Sequence, residues 1–174
     1  MTDESATLDL LRSCRRSALH LEMRDSYTPN DPDWRDWREG RRFEPAERWR
    51  EWFDLATETT ARGISVRRAR IVSEPVTDYI AFEYAVTTAH NVAAGELVRW
   101  LPRHVAPGVL VPCSDFWVFD DETVVFNHFD GVGDWVREEL RREPELALTC
   151  AAAFRSVWDL AIPHEKYVPP LISR

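Results

Sequence analysis

The sequence predicts an α/β (or α+β) chain with one mixed sheet of about five strands, N-terminal helices and a closing C-terminal helix. Three observations predict it. A helical apolar period dominates the first part of the chain, up to about residue 62. A strand–helix–strand order then runs from Ile64 to Pro102. Finally, DFWVFDDETVVFNHFDG, Asp115 to Gly131, sets two β-branched and aromatic runs on either side of an acidic tip. The chain is read as a single domain over residues 1–174, its helical part (about 1–62) packed on an α/β part (about 63–174).

Ala6 to Met23 has the spacing of an amphipathic helix, with Leu8, Leu11, Ala18, Leu19 and Leu21 on its apolar side. Pro29 and Pro32 break the pattern, and Trp34 and Trp37 then share one face of a short helical turn that Gly40 closes. Pro45 to Arg62 reads as the clearest helix: proline suits its first position, and Trp49, Trp52, Phe53 and Ala56 form an aromatic core stripe. Gly63 stops it.

In the strand from Ile64 to Ser73, Arg68 and Arg70 fall on one side and Arg67 on the other. A helix from Pro75 or Val76 to about His90 aligns Tyr79, Phe82, Glu83 and Val86, and a parallel strand follows at Glu96 to Pro102. The hairpin comes next, then a strand at Trp135 to Glu138. A last helix, Pro144 to Ala161, carries Leu148, Ala151, Phe154, Val157 and Trp158 at steps of three or four.

Composition narrows the function classes. Thirty acids against 22 lysines and arginines leave a net charge of −8, which argues against nucleic acid as a direct partner. No apolar run approaches the roughly 20 residues that cross a bilayer, and the acidic start lacks the order of a signal peptide. Three unpaired cysteines, Cys14, Cys113 and Cys150, fit reduced thiols in a cytoplasmic protein. The five histidines are too dispersed for a metal site, so no metal and no cofactor is expected.

Candidate ligand- or partner-binding residues come from two places. Arg67, Arg68 and Arg70, with Arg99 on the neighbouring strand, have the chemistry of a phosphate or carboxylate site. The alternative is internal pairing with Asp78, Glu83 or Glu74. The hairpin adds Trp117, Asn127 and His128; Asp130 or Asp134 could orient the imidazole, or the Asn–His pair could cap a strand end. No phosphate-binding loop or nucleophile elbow occurs, and the Asp120-Asp121-Glu122 tip lacks calcium-loop spacing.

HLEMRDSY, RRARIVSEPVTDYIAFEYAVT, NVAAGELVRWLPR, the hairpin and AFRSVWDLAIPHEKY together resemble an actinobacterial family, domain of unknown function 6879, across nearly the whole chain. That resemblance implies a stand-alone cytoplasmic protein, often encoded beside WhiJ-type helix-turn-helix regulators, and carries over no catalytic residues. The C-terminal half is also similar to degenerate phospholipase-D-like regulator regions. Active members of that superfamily use H-x-K-x-x-x-x-D. His164 and Lys166 match its start, but Leu171 stands where the aspartate belongs.

The preferred expectation is a non-enzymatic regulatory or protein-interaction module acting with a helix-turn-helix regulator. The alternatives are a sensor of an anionic small molecule and a phosphodiester-type hydrolase using His128 or His164.

Overall fold

A computed structural model describes residues 5–171. The helices are α1 (Ala6–Ser13), α2 (Pro32–Arg38), α3 (Pro45–Arg48), α4 (Arg50–Ala61), α5 (Asp78–Thr87) and α6 (Pro144–Leu160). The strands are β1 (Ser17–Glu22), β2 (Ser65–Val72), β3 (Leu97–Pro102), β4 (Asp115–Phe119), β5 (Thr123–Phe129), β6 (Trp135–Arg141) and β7 (Ile162–Pro163). They form one mixed sheet in the order β6-β5-β4-β1-β2-β3-β7. The α/β class stands, with seven strands rather than about five. β1–β2 and β2–β3 are parallel, as the strand–helix–strand order requires, and the other pairs are antiparallel.

The largest correction is at the N-terminus. The helix expected over Ala6 to Met23 ends at Ser13, and Ser17–Glu22 is instead the central strand. Leu19 and Leu21, two residues apart, share a face in an extended strand but not in a helix, where Ala18 and Leu21 are the pair at helical spacing. What decides is the tip of the β4–β5 hairpin. The Asp120 carboxylate accepts the backbone N–H groups of Arg15, Arg16 and Ser17 at 2.9, 2.7 and 3.0 Å, holding them where a helix would have bonded them internally. The acidic tip is therefore a clamp on the chain: Asp121 pairs with Arg155 and Glu122 with Arg16.

The long helix expected over Pro45 to Arg62 divides at Trp49, whose φ of −114° and ψ of 43° leave the helical region. Gly63 takes the expected positive φ, +83°, just past the end of α4. α5 runs into a wider π-type turn, Thr88–Val92, that buries His90 and Asn91.

Strand alternation sends the sheet's two faces to different cores. Leu19, Leu21, Ala69, Ile71, Leu101, Phe116 and Val118 pack against Ala147, Ala151, Phe154 and Val157 of α6. The opposite face carries His20, Glu22, Arg68, Arg70 and Trp117, and the N-terminal helices and α5 cover it. No helix among the described residues is long and apolar enough to cross a membrane.

Candidate functional site

A cavity of about 510 Å³ lies on the face away from α6. The sheet supplies His20, Glu22, Arg68, Arg70, Asp115 and Trp117. Trp49 and Trp52 come from the α3–α4 region, Tyr79, Phe82 and Glu83 from α5, and His90 and Asn91 from the π-type turn.

An ion network forms its floor. Arg68 donates to Glu22 at 2.5 Å, to Glu96 at 3.0 Å and to the Nδ1 of His20 at 2.9 Å. Arg70 donates to the other Glu22 oxygen and to the Thr87 hydroxyl. Glu96, 2% exposed, also accepts from Asn91 and Trp52. Burial alone would raise the Glu22 carboxyl, but Arg70 and Arg68 outweigh it and hold the group well below the usual range. Burial pushes His20 well below its ordinary value. Its Nδ1 accepts from an arginine, which can only donate, so His20 is a neutral ring with its proton on Nε2. That ring stacks on Trp117, centroids 4.1 Å apart.

Two further carboxyls are in a different condition. Burial pushes Glu83 up to about 7; Arg70 opposes the shift from 3.7 Å, while Glu22 adds to it. Burial pushes Asp115 up to about 6, against a hydrogen bond from Tyr27. Glu83 Oε2, His90 Nε2 and Thr7 Oγ1 have no hydrogen-bond partner among the described residues. Burial holds His90 down to about 4, so the ring is neutral.

The sequence candidates divide. Arg68, Arg70, Glu83, Trp117 and Asn127 line the cavity. Arg67 and Arg99 are on the opposite face, their guanidinium groups 5.6 and 4.5 Å from the Trp158 ring centroid, and Arg99 also donates to the Trp158 carbonyl. The four arginines thus do not make one anion site. Asp78 is exposed in the first turn of α5 and does not line the cavity. Trp34 and Trp37, which share α2 as expected, pack against Tyr79 and Phe82 respectively.

His128 is bonded to Glu139 at 2.9 Å, not to Asp130 or Asp134. Asp130 accepts the backbone N–H groups of Val132, Gly133 and Asp134 and so orders its own turn. In the HEK stretch, Trp100 donates to His164 Nδ1 at 3.0 Å, and the Thr88 hydroxyl lies 2.9 Å from Nε2. Both ring nitrogens are engaged.

Sequence reasoning did not find His20, Glu22, Glu96 or Asp115. The available signal was the alternation Leu19-His20-Leu21-Glu22, which reads as a strand with a polar second face. No cluster of three or more metal-ligating side chains occurs among the described residues.

The fold has counterparts. A crystal structure of Nuc, a phospholipase D family member from Salmonella typhimurium, matches with a TM-score of 0.50 and 14% identity, over 90% of this chain and 86% of that one. The archaeal chromatin protein TrmBL2, described by a novel mode of DNA binding, matches with a TM-score of 0.51 and 11% identity. That match covers 90% of this chain and 48% of TrmBL2, so the chain spans about half of its length. At such identities the likeness is one of fold. No curated protein matches by sequence. A family model does, over residues 5–169, and the chain belongs to that family, the domain of unknown function DUF6879.

Proposed function

We propose that this chain is a non-enzymatic small-molecule-binding module with a regulatory role exerted through a protein partner. One observation carries the binding part: the cavity of about 510 Å³ has a floor of mutually fixed ions, yet leaves Glu83 Oε2 and His90 Nε2 unpaired. Groups already held in position bind a ligand at a small ordering cost, and concave aromatic sites with a few convergent polar groups are typical of ligand pockets.

Phosphodiester hydrolysis is the weaker reading. An indole N–H can only donate, so His164 Nδ1 is an acceptor and its lone pair is committed to Trp100. Nε2 is then the protonated nitrogen, facing the Thr88 hydroxyl, and the ring has no free lone pair with which to attack phosphorus.

The test is native mass spectrometry of the full chain after incubation with a low-mass metabolite extract. A one-to-one adduct is expected on the wild type and not on Val86→Phe, which fills the cavity, with equal melting temperatures confirming that the variant folds. A wild type that retains nothing overturns the proposal.

The partner reading has separate support. The net charge of −8 suits a basic protein surface, and the chain is similar to about half of a DNA-binding chromatin protein. Co-elution with a helix-turn-helix regulator, with and without the extract, tests it; no association in either condition counts against it.

A further inference from the structure

We infer that the cavity takes an organic cation, a protonated amine carrying a flat apolar group, which names the ligand class within the binding role proposed above and rests on it.

The charge balance comes first. Five carboxyl groups line the cavity, Glu22, Asp31, Glu83, Asp115 and Glu138, against two guanidinium groups, Arg68 and Arg70. Neither arginine is available to an anion. Arg68 is taken up by Glu22 and Glu96, and Arg70 by Glu22 with Glu83 beyond it. Three of the carboxyls are also engaged, Asp31 in capping α2, Glu138 in accepting from Ser5 and Thr7, and Asp115 in accepting from the Met23 N–H and the Tyr27 hydroxyl. The surplus is at Glu83, whose Oε2 has no partner among the described residues. An anion entering there would meet that acid, whereas a cation would relieve its burial.

The unpaired atoms have the matching chemistry. His90 is 9% exposed and its Nε2 has no partner among the described residues; in the tautomer with the proton on Nδ1 that nitrogen is an acceptor. Glu83 Oε2 is an acceptor once the carboxyl ionises, as a nearby cation would make it do. Both can then accept from an N–H donor, and an ammonium group offers up to three.

The walls beside these atoms are aromatic. Tyr79 and Phe82 have centroids 5.9 Å apart, Phe82 and Trp49 are 6.2 Å apart, and Trp49 meets His90 edge-on at 4.9 Å. Arg68 already occupies the faces of Trp52 and Trp117. Trp49, Tyr79 and Phe82 bear no such cation among the described residues. Aromatic faces with carboxylates close by are the established chemistry of ammonium recognition.

Isothermal titration at pH 7 with three matched indoles tests this: tryptamine as cation, tryptophol as neutral analogue and indole-3-acetate as anion. Tryptamine should bind at least tenfold more tightly than tryptophol, with no heat from indole-3-acetate. Glu83→Gln should weaken tryptamine at least tenfold and leave tryptophol within threefold. Trp49→Leu, checked for native melting, should weaken tryptamine as well. Equal or tighter binding of tryptophol or indole-3-acetate overturns the cation inference and leaves the ligand-binding role intact. Absence of tryptamine binding also overturns the inference, and the extract experiment then decides the broader role separately.

Discussion

Glu22 and Arg70 are register partners on adjacent parallel strands, and their side chains form an ion pair on the covered face of the sheet. Arg68, two residues earlier on β2, holds the other oxygen of the same carboxylate. One acid from β1 thus bridges two arginines of β2, whose remaining charge is met by Glu96 and Glu83. Glu22→Ala would leave both guanidinium groups buried with a deficit of negative charge, at a cost of about 3–5 kcal/mol. Urea unfolding of this variant should reveal that loss. Glu22→Leu combined with Arg70→Met should lose less than the sum of the single changes, because the double variant removes a pair rather than orphaning one member.

Glu83 contributes the opposite sign with pH. Its folded-state value is about 7, above an unfolded value of roughly 4.3. Between those limits the folded chain keeps a proton that the unfolded chain has lost, so stability falls as pH rises. His90, held at about 4, works the other way, binding its proton only in the unfolded chain up to a pH of roughly 6.5. Arg70, Glu22, Arg68 and Asp115 all act on Glu83, so the wild-type profile alone is composite. The difference from Glu83→Gln isolates it. The variant should gain on the wild type from pH ~4 to ~7 by on the order of 2–3 kcal/mol and level off above. A flat difference across that window contradicts the assignment.

His164 has a structural role that mutation should expose. His164→Ala leaves the indole N–H of the fully buried Trp100 without its acceptor, at about 1–3 kcal/mol. A lower urea midpoint with unchanged slope is the expected result.

The thiols should divide one against two. Cys113 is exposed, whereas Cys14 and Cys150 are buried. Burial pushes Cys150 up to about 11 and raises Cys14 as well. One thiol per native chain should react rapidly with a thiol-specific chromogenic disulfide at pH 8, and three should react in denaturant.

Much of the fold was legible where a single period ran without competition. The parallel β2–β3 pair, the hairpin and α6 follow directly from alternation, acidic turn residues and the three–four spacing of Ala151, Phe154 and Val157. β1 was misread because its apolar residues continue the helical run before it; the alternation of Leu19 and Leu21 is only two residues long, and the deciding contact comes from Asp120, far along the chain. The site was legible by half. Alternation separates Arg68 and Arg70 from Arg67, and helical spacing aligns Glu83 with Phe82. Of the arginines' partners, Glu83 is the one internal pairing predicts, reaching Arg70 at 3.7 Å; Glu22 was hidden in the misread strand, and Glu96 is buried beside the π-type turn, whose Asn91 donates to it.

The position of β1 has a consequence for the order in which the chain can assemble. It is the seam of the sheet, with β2-β3-β7 on one side and β4-β5-β6 on the other, and among the described residues no other strand joins those halves. It precedes the hairpin that closes on it, and the two are held by a contact spanning 103 residues, from Ser17 to Asp120. The parallel β1–β2–β3 part can form before the hairpin is made; β4–β5–β6 adds after it and β7 later still, so completion of the sheet is long-range and entropically slow. The cavity straddles that same seam, drawing Arg68 and Arg70 from one half and Asp115 and Trp117 from the other. The cavity is therefore a late product of folding, enclosed only once the two halves have met.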